Sequence, residues 1–176
     1  MSKTVKIYGR TFTVSGGETD DYYRHIPDGA DITDSVMAAI KPHVRPDSVC
    51  LDVGANIGLY SLGLSTLAPQ GQVYAFEPSP SAHGHLLSNL EVNRAGNVVV
   101  SNLAVSDTTG TVRFHDFSFF SAGSFSSDEG SLLSAESYGS DSFEAATTTL
   151  DEFVADRKLD RVDFIKVDVE GAELSV

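Results

Sequence analysis

From Ser48 onward the sequence predicts a doubly wound α/β domain on a mainly parallel sheet. Three observations carry that expectation. Short continuous apolar runs alternate with segments of helical periodicity, the order that covers both faces of a parallel sheet with helices. The first run ends in an acid and a glycine-rich turn, Asp52-Val53-Gly54-Ala55-Asn56-Ile57-Gly58. Finally, Asp52, Glu77, Asn102 and Asp168 fall at the C-terminal ends of successive runs, where such sheets bind their ligands.

The elements follow in order. Residues 5–14 alternate around Gly9-Arg10, predicting a short hairpin. After a polar, Asp-rich stretch, Thr33 or Asp34 can cap a short helix through Val36, Met37, Ala39 and Ile40, closed by Pro42 and Pro46. Residues 1–47 are thus an N-terminal extension, and residues 48–176 form the cofactor-binding domain. Within it, Val49 to Val53 reads as a strand buried on both faces. A helix runs from Ile57 to Leu67, with Asn56 as N-cap and Gly71 past its end. Val73 to Phe76 is the second strand, stopped by Glu77-Pro78, and Ser81 to Ala95 is a helix closed by Gly96. Val98 to Val105 reads as a third strand, followed by a turn at residues 106–110 and an antiparallel return from Thr111 to Phe117. Residues 118–146, rich in Ser and Gly, read as a long loop, a mobile lid or a disordered segment. A helix then begins at Leu150, and Val162 to Val167 is a fourth buried strand entering Asp168-Val169-Glu170-Gly171.

The net charge of −13 argues against a nucleic-acid partner, which would require a cationic footprint. The single cysteine, Cys50, excludes a disulfide framework and multi-cysteine metal sites. It reads as a small core residue. No signal peptide and no membrane-length apolar run occur, so a cytoplasmic protein without membrane contact is expected. His83 and His85 are spaced i, i+2 on a helix and point to different faces, so no metal site is expected.

The chemistry resides at the strand ends. Gly54 and Gly58 allow a tight turn, and the helix start beyond them offers backbone N–H groups. Glu77, at the next strand end, can accept hydrogen bonds from both hydroxyls of a ribose. Together these features indicate an adenosine-containing cofactor. The G-x-N-x-G spacing lacks the pyrophosphate glycines of a dinucleotide fingerprint. Asp52 suits a cationic group better than a diphosphate, which favours S-adenosylmethionine over NAD. On the fourth strand Phe164, Lys166, Asp168 and Glu170 share one face. Charges there are either functional or paired as Lys166–Asp168 or Lys166–Glu170.

The blocks Leu51-Asp52-Val53-Gly54-Ala55-Asn56-Ile57-Gly58, Ala75-Phe76-Glu77-Pro78, Asn102-Leu103-Ala104-Val105-Ser106-Asp107, Thr149-Leu150-Asp151-Glu152-Phe153 and residues 163–173 together resemble the FkbM family of S-adenosylmethionine-dependent methyltransferases. The resemblance runs from about Ser48 to the end of the chain. It implies a Rossmann-like fold of the class I methyltransferase type and O-methylation of a sugar or natural-product hydroxyl, with a small-molecule or carbohydrate acceptor. By position it implies that Asp52, Gly54, Asn56 and Gly58 surround the methionine moiety, Glu77 the ribose, and Asn102, Leu103 and Ala104 the adenine. Asp168 and Glu170, with Glu173 beside them, would face the acceptor, and Asp168 would remove its proton. Because family members continue beyond the last block, the resemblance implies a sheet incomplete on its C-terminal side. Two other readings stay open: a nicotinamide-dependent oxidoreductase, and a non-catalytic cofactor-binding fragment.

Overall fold

The computed structural model describes residues 2–18, 20–116, 123–125, 141–169 and 173–176. A hairpin opens the chain, β1 (Ser2–Ile7) and β2 (Arg10–Ser15), turning at Tyr8-Gly9, both with positive φ. The Asp-rich stretch then makes a short helix, α1 (Asp21–His25), capped by the Asp20 carboxylate, and a two-residue strand, β3 (Ala30–Asp31). Its polar composition hides both elements from sequence reading. β3 pairs parallel with β1, giving the sheet order β2-β1-β3. Helix α2 (Ser35–Ile40) follows, with Asp34 accepting from the Met37 N–H at 2.7 Å.

The central sheet contains β4 (Val49–Val53), β5 (Gln72–Phe76), β6 (Val98–Ser101) and β11 (Phe164–Val167). All its pairs are parallel, in the order β11-β4-β5-β6. The chain steps outward from β4 to β6 and returns on the other side of β4. The order therefore reverses between β4 and β11, and a crevice opens there. Helices α3 (Leu59–Leu67) and α4 (Pro80–Val92) lie over one face. Helix α5 (Leu150–Arg157), capped by Thr149, closes the other by packing Phe153 edge-on against Tyr74 and Phe76. The N-terminal sheet shares a single core with the domain, since Val5, Ile7, Phe12 and Val14 pack with Leu59, Leu62, Leu86 and Leu90. Burial also pushes the Cys50 thiol up to about 12, with Asp163 and Asp52 adding to it, as suits an inert core residue.

Several sequence expectations change. The third strand ends at Ser101. After Asn102 and Leu103 the chain enters β7 (Ala104–Val105), which belongs to another sheet. That sheet, ordered β7-β10-β8-β9, contains β8 (Gly110–Asp116), β9 (Gly123–Phe125) and β10 (Asp141–Thr148). The antiparallel partners of β8 are thus β10 and β9 and not the preceding strand, and residues 141–146 are strand where a loop is expected. The rest of the 118–146 segment, residues 123–125 apart, lies outside the described residues. Asn56 is no N-cap: it sits at φ 51°, and Gly58, at φ 93°, caps α3. The fourth strand is an edge strand with Ile165 and Val167 turned outward, and its polar face is the one turned in.

Candidate functional site

At the reversal between β4 and β11 lies a cavity of about 880 Å³. It is lined by the loop from Gly54 to Ile57, by Lys166 and Asp168, and by residues of the segment from Tyr22 to Asp34, which forms its N-terminal wall. The loop's shape has a steric cause. Gly54 has φ 72°, and a Cβ on it would collide with the Asp168 main-chain oxygen. Gly58 likewise needs its bare backbone, because a Cβ there would enter the Leu86 side chain. Only glycine serves both conformation and closeness at these positions.

Behind the loop stands a buried network. Asp52 is wholly enclosed; its Oδ2 accepts from the Ser61 hydroxyl at 2.6 Å. The cation that Asp52 faces is Lys166, with Nζ 3.2 Å from Oδ1. Lys166 Nζ also donates to the Gly54 carbonyl at 2.8 Å, lies 3.6 Å from Asp168 Oδ2, and stands 5.1 Å from the centre of the Tyr60 ring. Tyr60 in turn donates its hydroxyl to Asp34 Oδ2 at 3.1 Å, joining α3 to the N-terminal wall. Burial first, then Asp34, raises the Tyr60 phenol above its ordinary value.

Glu77 is buried, and its carboxylate gathers the loop from the far side. Oε2 accepts from the Asn56 N–H at 2.7 Å, and Oε1 accepts from the Ser79 N–H at 2.9 Å. Burial pushes its carboxyl up to about 7, against the two N–H donors and Lys166, which pull down; Asp52 adds to the rise. Asn102 donates to the Glu77 carbonyl at 2.7 Å, locking the ends of β5 and β6 together. Asn56 Oδ1 is buried without a hydrogen-bond partner among the described residues.

The structure therefore brings Gly54, Asn56 and Asp168 to the cavity wall, and keeps Asp52 and Glu77 in the layer beneath. Leu103 and Ala104 lie where the chain leaves the central sheet, with Ala104 buried. Glu170 lies outside the described residues. Sequence reasoning pairs Lys166 with Asp168 or Glu170 and misses Asp52. The pairing follows from register, because Lys166 and Asp52 are partners on adjacent parallel strands, and register is not displayed by either strand alone. The wall of residues 22–34 and Tyr60 carried no signal.

The wall is built on the hairpin. Lys3 Nζ donates to the Tyr23 and Ile26 carbonyls at the end of α1, both at 2.7 Å. Asp28 accepts from the Thr4 N–H at 2.7 Å, and the Tyr8 N–H donates to Thr33 Oγ1. No helix among the described residues is long and apolar enough to cross a membrane, and none of their acids, His or Cys group as a metal site.

The sequence profile of the methyltransferase FkbM domain matches residues 52–176. The methyltransferase sdnD of Sordaria araneosa is 33% identical over 149 residues, which are 72% of this chain and 58% of the relative. The hexuronic acid methyltransferase AglP of Haloferax volcanii is 29% identical over 177 residues, 100% of this chain and 66% of the relative. The 31-O-demethyl-FK506 methyltransferase FkbM of Streptomyces tacrolimicus is 27% identical over 185 residues, 93% of this chain and 69% of the relative. The chain thus spans about three-fifths of the length of the first of these.

Proposed function

This chain belongs to the FkbM methyltransferase family, and we propose that it holds S-adenosylmethionine in the crevice and serves O-methylation of a sugar or natural-product hydroxyl. The observation that carries the reading is the cavity at the strand reversal, bounded by the glycine loop and Asp168. Its volume of about 880 Å³ is ample for one nucleoside-sized ligand beside an acceptor. The residues fit a cationic cofactor. Asn56 Oδ1 is a buried acceptor with no donor among the described residues, and Asp168 supplies negative charge, its side chain 62% exposed. A diphosphate would meet the Asp168 carboxylate as like charge and bring no donor to the Asn56 amide oxygen.

Gly54, Asn56 and Gly58 would shape the methionine side, with Asp52 acting through Lys166 and the loop it fixes. Glu77, with Asn102 holding its strand end, would set the ribose position, and Leu103 and Ala104 would lie toward the adenine. When bound, the cofactor supplies a methyl group on a sulfonium, already a strong electrophile. The protein's part is to hold an acceptor hydroxyl in line and to receive its proton. Asp168 is the carboxylate at that wall and would receive it. The relatives named for hexuronic acid and for a demethylated FK506 support a hydroxyl-bearing acceptor.

Calorimetric titration with S-adenosylhomocysteine and with NAD tests the reading. Binding of the adenosyl ligand alone is expected. Binding of NAD instead, or of neither ligand, would overturn it.

A further inference from the structure

We infer that Lys166 is the positioning residue of the crevice, one buried ammonium that fixes the carbonyl of the glycine loop and the carboxylate of Asp168 together. The inference rests on the proposed methyl-transfer reading for what the crevice holds, and on the surroundings of the ammonium for the rest.

Lys166 is the one ammonium among the described residues that line the cavity. Its side chain is only 9% exposed, so its polar contacts are made inside the protein. An ammonium has three N–H groups to place. One donates to the Gly54 carbonyl at 2.8 Å, the enclosed Asp52 carboxylate lies at 3.2 Å, and Asp168 Oδ2 lies at 3.6 Å. The Tyr60 ring centre is 5.1 Å from the same nitrogen, within reach of a cation–π attraction. Through the Tyr60 hydroxyl, which donates to Asp34, the N-terminal wall is tied to this centre as well.

The fold alone does not require such an arrangement. A buried ion pair exchanged for well-packed apolar side chains is often neutral for stability or better, because desolvation offsets the Coulombic gain. What an apolar residue at position 166 could not do is hold two polar groups of a ligand site in fixed relation. The main chains of Gly54 and Asp168 already touch, since a Cβ on Gly54 would collide with the Asp168 main-chain oxygen. The Asp168 N–H also donates to the Val53 carbonyl at 3.1 Å. The Asp168 side chain is in a different position. It is 62% exposed, and Lys166 is its ion-pair partner among the described residues. An untethered carboxylate would sample several rotamers, most of them out of line with an acceptor hydroxyl. Lys166 restrains that choice from the same nitrogen that holds the loop.

Two measurements test this. The first is calorimetry with S-adenosylhomocysteine on wild type and on Lys166→Met with Asp52→Asn, a variant that removes the ammonium without leaving its buried partner charged. Loss of the charge-assisted hydrogen bond to the loop should weaken that ligand by at least about ten-fold while urea melts show the variant folded. Undiminished affinity in the folded variant would overturn the inference, because a purely structural pair is replaceable. The second measurement leaves Lys166 in place and follows its ammonium by ¹⁵N NMR, where burial should slow proton exchange enough for detection. Its resonance should move on Asp168→Asn and, in wild type, on adding S-adenosylhomocysteine. A resonance that is absent, or that ignores either change, would overturn the inference, and this readout decides the matter should the double variant fail to fold. Wild type that does not bind S-adenosylhomocysteine loses the methyl-transfer reading itself. Wild type that binds it no better than the double variant does loses only this inference.

Discussion

Lys166 and Asp52 face each other across adjacent parallel strands, and the ammonium lies 3.2 Å from a carboxylate that is wholly enclosed. Removing one partner leaves the other charge buried without compensation. Lys166→Met should therefore cost about 3–5 kcal/mol of folding stability. Adding Asp52→Asn should restore much of it, because the uncompensated charge goes. Urea melts of the two variants check this; a double variant no more stable than the single one would contradict the pairing.

Gly54→Ala should be worse than its size suggests. The new methyl group meets the Asp168 main-chain oxygen, and the residue must hold φ 72°. Backbone strain of this kind costs on the order of 1–3 kcal/mol, and relief requires the end of β11 to move. Thermal melting should fall, and adenosylhomocysteine affinity should fall with it. Unchanged affinity would place the ligand away from this loop.

Glu77 gives a pH dependence of definite sign. Its carboxyl, raised from 4.5 to about 7 mainly by burial, keeps a proton in the folded protein that the unfolded chain has released. Between these values the folded state binds more protons, so stability falls as pH rises. The contribution is complete below about pH 4.5 and is lost through about pH 7. Melting temperatures of wild type and Glu77→Gln, compared from pH 5 to pH 8, should converge or cross as the wild type declines. Parallel profiles would show that Glu77 is ionised throughout.

Asp168→Asn separates chemistry from scaffolding. The side chain is 62% exposed and its ion pair with Lys166 is 3.6 Å long, so little stability should be lost. If Asp168 accepts the acceptor's proton, turnover should drop by about 10²–10⁴-fold while nucleoside affinity stays within about two-fold. Near-normal turnover would remove it from the proton path.

The parallel core was legible because Val49-Cys50-Leu51-Asp52-Val53 and its counterparts are apolar runs with acids at their ends. The glycine loop was legible because it demands residues that few other turns need. What escaped depended on tertiary pairing. The run from Val98 to Val105 looks continuous, but Asn102 donates to the Glu77 and Pro78 carbonyls, and the chain changes sheets at that point. Helix α1 is only five residues long and polar, held by Asp20 at one end and Lys3 at the other. Nothing in its own composition marks it as a wall. The inward turn of Lys166 follows from register, which a single strand does not display.

The shared core of hairpin and helices sets the width of the crevice. Val5, Ile7, Phe12 and Val14 rest on the same α3 and α4 side chains that stand behind the glycine loop, so floor and wall have one foundation. Shaving methylenes from that layer, as in Leu62→Ala, should loosen the seat of the hairpin that supports Tyr22 and Asp34. The gauge of the opening should thereby depend on packing such as Leu62 and Leu90, which lie behind the cavity lining.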